Sequence, residues 1–278
     1  MKQPVRFLLA NLRFWLVGLA LLAAPFIGAS QTWDQVLKAV ATDAATDDQL
    51  GISVAINGDY AVVGAWMDNF PGAVDAGSAY FFQRIAGVWT FTQKVSASDR
   101  SLGDHFGFSV AINGTYAIIG APDDDHSLGT INTGSAYVFE LIAGTWTQVE
   151  KLRSSDEDFG GRFGASVSIS GNYAVVGARN NDLVAGDAFV FRRNGLNDWV
   201  QMQQINSSDR AVGDQFGFSV AIDGTYIVVG SNMANIGSDD DAGAAYFFEL
   251  LSGIWTEVEK VVPSEPRRRR PFWQCGRY

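Results

Sequence analysis

The chain has 278 residues, 47% of them hydrophobic, with 30 Gly, 19 Phe and a single cysteine, Cys275. This is enough apolar material for a sizeable core; it excludes global disorder, and one thiol excludes an intrachain disulfide framework. All 30 acidic residues lie within 31–266, while Lys2, Arg6, Arg13, Arg267 to Arg270 and Arg277 lie outside, so the interior carries twelve basic residues and a net charge of −18. That balance argues against nucleic acid as a partner and favours cations or basic partners.

Taken in order, residues 1–30 read as an export signal. Lys2, Arg6 and Arg13 form a basic start, Phe14 to Ile27 an apolar run, and Gly28-Ala29-Ser30 a small-residue cleavage site. The run is short for a bilayer span of about 20 residues. Cleavage and a secreted or cell-surface location are therefore expected, with membrane contact only if this segment is retained. Residues 31–48 follow as an isolated outer strand and linker, because Trp33 to Lys38 match the later stretch Trp146 to Lys151.

From 49 to 265 the chain repeats itself four times, over about 49–98, 99–155, 156–208 and 209–265. Such a period is the mark of a repeat architecture. Phe106-Gly107, Phe163-Gly164 and Phe216-Gly217 recur, with Leu50-Gly51 in the first copy. Gly120-Ala121 and Gly177 recur with Gly64 and Gly230, and Trp146, Trp199 and Trp255 with Trp89.

Each copy divides into four short apolar runs separated by turn residues, which predicts a four-stranded antiparallel sheet. In the second copy these are Phe106 to Ile112, Tyr116 to Ala121, Ser135 to Glu140 and Trp146 to Leu152. Asn113-Gly114 predicts a tight type I′ hairpin between the first two. Alternation in the first run sets Phe106, Phe108, Val110 and Ile112 on a bulky face and Gly107, Ser109 and Ala111 on a slim one. The bulky face of one sheet should nest on the slim face of the next. Four-stranded sheets repeated radially make a β-propeller, so the expected fold is all-β, with four blades.

The Phe-Gly that opens the first run and the Gly120-Ala121-Pro122 that ends the second resemble the FG-GAP repeat. That repeat builds the seven-bladed propeller of integrin α-subunits and of many exported bacterial proteins. The resemblance spans about 33–265 and implies a truncated form of a larger, about seven-bladed ring. A further reading concerns the tail, 266–278. Phe272 to Tyr278, back-translated and read one nucleotide later, permits Phe-Gly-Ser-Ala-Val-Ala-Ile, so a slipped reading frame between Glu265 and Phe272 is expected. The other reading is a natural basic tail.

Loops from the fourth run to the first, and from the second to the third, should share one propeller face. There the sequence gathers Asp99, Asp104, Asp123, Asp124, Asp125, Asp156, Asp209, Asp214, Asp239, Asp240 and Asp241. Clustered carboxylates suit a hard cation such as Ca²⁺ or a basic partner. The competing reading makes them turn residues that cap the backbone. The calcium loop that the resemblance implies for integrin-like copies has no counterpart here, since the relevant hairpin is a two-residue turn. No metal site and no cofactor is expected with any firmness.

Catalysis has little support. His105 beside Asp104 could form an acid/base pair, but no nucleophile accompanies it, and His126 and Cys275 stand alone. The recurring Trp residues read as blade packing rather than a carbohydrate-binding set. The expected function is a non-catalytic interaction scaffold, in adhesion or in binding a protein or glycan. The alternatives are a fragment of a propeller enzyme acting on polysaccharide, and a purely structural repeat of a larger surface protein.

Overall fold

The computed structural model describes residues 38, 40, 41, 43, 45–125, 132–156, 160–179, 184–195, 198–237 and 241–264. The expected export signal, the isolated strand at Trp33 and the basic tail lie outside these residues, as do His126, Asp239, Asp240 and Cys275. The chain divides into two units, Met1–Lys38 and Ala39–Tyr278, and every strand lies in the second.

Among the described residues there are sixteen strands and no helix. Blade one comprises β1 (Leu50–Asn57), β2 (Tyr60–Ala65), β3 (Ser78–Ile85) and β4 (Val88–Val95). Blade two comprises β5 (Ser109–Asn113), β6 (Tyr116–Ala121), β7 (Ser135–Ile142) and β8 (Thr145–Leu152). Blade three comprises β9 (Phe163–Ser170), β10 (Tyr173–Ala178), β11 (Asp187–Arg193) and β12 (Trp199–Ile205). Blade four comprises β13 (Phe216–Asp223), β14 (Tyr226–Ser231), β15 (Ala244–Leu251) and β16 (Ile254–Val261). Each blade is an antiparallel meander in chain order.

The hairpins correct the turn expectation. In the turn after β5, positive φ falls on Gly114 (59°) but not on Asn113 or Thr115. Glycine alone at the first central position is the pattern of a type II′ turn, not I′. The I′ pattern, with both central residues at positive φ, occurs instead between the third and fourth strands. It is seen at Ala86-Gly87 (49°, 85°), Ala143-Gly144 (49°, 85°) and Ser252-Gly253 (52°, 87°).

The first strand also departs from simple alternation. Phe108 N–H donates to the His105 carbonyl at 3.2 Å, closing a turn whose third residue, Gly107, has φ of 93°. Glycine is needed there because a type II turn requires positive φ at that position. The same turn recurs before Ile52, Ala165 and Phe218. It shifts the register at the start of the strand, so Phe106 and Phe108 do not share a face. Phe106 is fully buried against Tyr137 and Phe139 of its own blade, whereas Phe108 reaches Trp66 of blade one.

Beyond that turn the nesting expectation holds. Val110 and Ile112 of blade two join the core of Val62, Ala79 and Phe81 in blade one. Val167 and Ile169 of blade three sit likewise against Ile118, Ala136 and Val138, and Ile222 of blade four against Val175, Ala188 and Val190. The slim faces receive them through close backbone approach: a Cβ at Gly64, Gly120 or Gly177 would collide with the carbonyl of Gly107, Gly164 or Gly217. The first strands β1, β5, β9 and β13 touch in sequence, with Arg179 of blade three in contact with both Phe108 of blade two and Phe218 of blade four. Blades whose first strands converge while their fourth strands spread are a propeller arrangement.

Candidate binding site

Two of the expected carboxylates meet in blade two. Tyr137 Oη lies within hydrogen-bond distance of Asp99, in the loop before β5, at 2.9 Å and of Asp124, in the loop after β6, at 2.8 Å, its one proton shared between them. Lys151 Nζ reaches the same two carboxylates at 2.6 and 2.7 Å. The motif repeats in blade one with Tyr80, Lys94, Asp43 and Asp68. In blade four Tyr246 and Lys260 hold Asp209. Blade three substitutes Phe189 and Gln204, and Gln204 Nε2 donates to Asp156 at 3.1 Å.

These contacts set the electrostatics. Burial raises the Asp99 and Asp209 carboxyls, but hydrogen bonds from Lys and Tyr outweigh it and leave both below the usual range. Burial pushes the Tyr80 and Tyr246 phenols up to about 12 and Tyr137 higher still. Asp104, 2% exposed, accepts from Ser101 N–H at 2.5 Å, and burial lifts its carboxyl to about 6. Asp214 accepts from Ala211 N–H at 2.9 Å in the same manner. Asp125 accepts from Asn132 N–H at 2.7 Å, and Asp241 N–H donates to Asn235 at 2.9 Å. The described carboxylates thus face lysines, phenols and backbone N–H groups. Among the described residues no group of three His, Cys, Asp or Glu side chains is arranged to hold a metal ion.

A second cluster lies where the four first strands converge. His105 does not turn to Asp104; its Nδ1 meets Asp123 Oδ2 at 2.7 Å. Arg162 Nε lies 3.2 Å from the other oxygen of Asp123. The His105 ring lies 4.6 Å from Trp66, and Trp66 Nε1–H donates to Gln49 at 3.0 Å. Arg179 lies over the rings of Phe108, at 5.6 Å, and Phe218, at 5.4 Å. Among the described residues no hydrogen bond or direct ion pair holds its guanidinium, and the Asp123 carboxylate acts on it only through space. Burial, then the nearby Arg162 charge, hold Arg179 below its ordinary value.

One backbone device builds this mouth. Gln49, His105, Arg162 and Gln215, each immediately before the Gly-containing turn, all have positive φ, from 51° to 57°. Non-glycine residues avoid that region, and such strain persists only where surrounding structure imposes it. The repeated turn therefore presents three kinds of side chain, Gln, His and Arg, at equivalent positions of the four blades. Trp66 and Arg179, both directly after the second strand, come in beside them.

Of the residues expected to carry function, the structure brings Asp99, Asp104 and Asp124 together and puts Asp123 in the other cluster. Trp66, Phe108, Arg162, Arg179 and Phe218 were not singled out for binding. Their signal was available in the aligned copies: the positions before Phe-Gly and after Gly-Ala change chemistry while their neighbours repeat. The recurring Trp residues are packing groups: Trp146, Trp199 and Trp255 are 2–5% exposed.

The FG-GAP repeat family model matches residues 33–82, 89–139, 146–191 and 199–248, well over half of the chain. The chain belongs to the FG-GAP repeat family. The last three matches open at Trp89, Trp146 and Trp199 of one fourth strand and run to the third strand of the next blade, so the FG-GAP unit straddles two blades. No curated protein matches. Among solved structures, a functionally unknown protein from Desulfotomaculum acetoxidans DSM 771 is similar, with 14% identity and a TM-score of 0.50. The alignment covers 79% of this chain and 59% of that one, so this FG-GAP chain spans less than two thirds of its length. The likeness concerns fold alone.

Proposed function

We propose that this FG-GAP protein is an exported, non-catalytic binding scaffold, and that its recognition site is the mouth where the four blades converge. The observation that carries this reading is Arg179, half-buried between Phe108 and Phe218 with no carboxylate hydrogen-bonded to it among the described residues. A guanidinium offers five N–H donors in a planar fork that fits a carboxylate or similar oxyanion, and its aromatic neighbours keep it pre-ordered. Arg162 adds a second positive charge, and Trp66 a flat apolar surface beside it. The ligand is accordingly a molecule with an anionic group next to a sugar-like or apolar face, of which an acidic glycan is the class best matched. Export rests on the basic start and apolar run of residues 1–30.

The test is a glycan array that includes uronic and sulfated sugars, followed by titration of the best hit. Arg179→Ala is expected to weaken binding at least tenfold, with Arg179→Lys retaining part of it. Equal binding by wild type and Arg179→Ala would overturn the reading, as would turnover of the bound polysaccharide.

A further inference from the structure

Blades one and four each leave one face uncovered, and the two faces are opposite halves of the same junction. On blade one the bulky face is bare: Val54 and Ile56 are each 67% exposed, although their counterparts Val110 and Ile112 are each 7% exposed at the next junction. On blade four it is the slim face, with Ser219 and Ala221 exposed. We propose that these faces dock on one another between two copies of this chain, blade one of each copy seated on blade four of the other.

Four kinds of contact cross the internal junctions, two of them at all three, the serine contact at two and the arginine contact at one, and their unmatched members lie on the same two surfaces. The tyrosine that opens the second strand meets the next blade's tryptophan edge-on in Tyr60–Trp146, Tyr116–Trp199 and Tyr173–Trp255, at 5.7–6.1 Å. The remaining members are Tyr226, 58% exposed, and Trp89. Arg193 of blade three lies 4.1 Å over the Tyr116 ring, and its counterpart on blade one is Arg84. Hairpin N–H groups donate to the preceding blade in Gly114 to Asn57, Gly171 to Asn113 and Gly224 to Ser170. The members left over are the Gly58 N–H and Asp223. Serine hydroxyls donate across the junction from Ser109 to the Gly164 carbonyl and from Ser166 to that of Gly217, at 2.7 and 2.8 Å. Ser219 is the next such donor and Gly51 the next such carbonyl.

The glycines agree. A Cβ at Gly107, Gly164 or Gly217 would strike the backbone of the blade before it, whereas Gly51, with the same conformation (φ 100°), has nothing within 4 Å. On blade four, Gly230 meets only Ser219 of its own blade, unlike Gly64, Gly120 and Gly177. Backbone, hydroxyl and aromatic groups are thus all left as complementary halves. A head-to-tail contact of this kind closes into a ring if its rotation permits and otherwise continues as a filament.

Sedimentation velocity on the full chain over micromolar concentrations tests this, with Val54→Asp blocking the bulky face and Ala221→Trp filling the slim one. Wild type is expected to sediment as a dimer and each variant as a monomer. An equimolar mixture should recover a heterodimer, because one intact junction remains. Both substitutions are at exposed positions; should either lose its near-ultraviolet circular dichroism, Ile56→Glu and Ser219→Arg replace them. Filaments shortened by either variant would support the same junction. A wild type monomeric at every soluble concentration, or an oligomer indifferent to both faces, would overturn the proposal.

Discussion

Trp146 of blade two lies flat on Phe81 of blade one, ring centroids 4.3 Å apart and planes 9° from parallel. The same indole receives the edge of Tyr60, and its backbone N–H and carbonyl are both held by the Gln93 amide, at 2.8 Å each. One residue therefore joins two sheets through packing and hydrogen bonding at once. Blade one's Trp89 occupies the corresponding place with no preceding blade among the described residues and is only partly buried.

That contrast predicts unequal costs. Trp146→Ala should destabilise the protein by about 3–5 kcal/mol, as removal of a buried aromatic does. Trp89→Ala should cost less than half as much in the monomer. Urea denaturation curves of the two variants measure the difference, and equal losses would contradict the assignment of Trp146 to an inter-blade contact.

The Lys151 ammonium is the hub of the acidic face in blade two, since it stands between Asp99 and the buried Asp124. Lys151→Met would leave both carboxylates facing each other with only Tyr137 to answer them. A loss of about 2–4 kcal/mol at neutral pH is expected, somewhat under the range for a fully buried pair because Asp99 is half-exposed. Lys151→Gln, which copies Gln204 of blade three, should cost less. The penalty of Lys151→Met should shrink in acid, as Asp99 takes up a proton.

Asp104 gives the pH dependence a second limb. Its carboxyl is raised by burial to about 6, above the usual value of about 3.9. The folded protein therefore holds this proton more tightly than the unfolded chain does. The resulting stabilisation is complete below about pH 4 and is lost as pH rises towards 6. Asp43, Asp99 and Asp209 act in the opposite sense: their carboxyls are depressed, so their contribution is present above the unfolded value and lost as pH falls through the folded one. Asp104→Asn keeps an acceptor for Ser101 N–H and removes the ionisation. Relative to wild type, the variant should gain about 2–3 kcal/mol between pH 4 and 7, following the size of the shift. Urea midpoints at four pH values check this, and a constant difference would contradict it.

The sequence made the blade order and the nesting of bulky on slim faces legible, because alternation in runs such as Val110 to Ile112 follows directly from strand geometry. It misplaced Phe108, since two-residue alternation assumes a regular strand and the turn at Gly107 interrupts it. The first hairpin was mistyped for a related reason: Asn113-Gly114 is a strong I′ signal, while Ala143-Gly144 achieves that conformation without one. Asp99 and Asp124 meet while Asp123 joins the other cluster, and composition does not reveal that Tyr137 and Lys151 come from other strands to meet the first two. Arg179 was hidden more deeply. It shows only as the odd residue after Gly-Ala when the copies are aligned, and its neighbours Phe108 and Phe218 belong to the blades on either side.

The glycine after each recurring Phe offers the sharpest test of how blades meet. Gly107 combines φ of 93° with a Cβ direction aimed at the Ser78 carbonyl of blade one, so Gly107→Ala imposes both backbone strain and a collision with unyielding main chain. Gly51 shares the conformation, at φ 100°, but faces open space in the single chain. Strain alone costs roughly 1–2 kcal/mol for an L residue in left-handed backbone. Gly51→Ala should therefore lower the stability of the monomer by about that amount, while Gly107→Ala should lose at least twice as much or fail to fold at ordinary temperature. Thermal melts at low protein concentration separate the two. At higher concentration the ordering carries further information: if blade four of a second copy covers blade one, Gly51→Ala should also abolish the concentration dependence of the wild-type melting temperature. If the face stays bare, the substitution leaves no such mark.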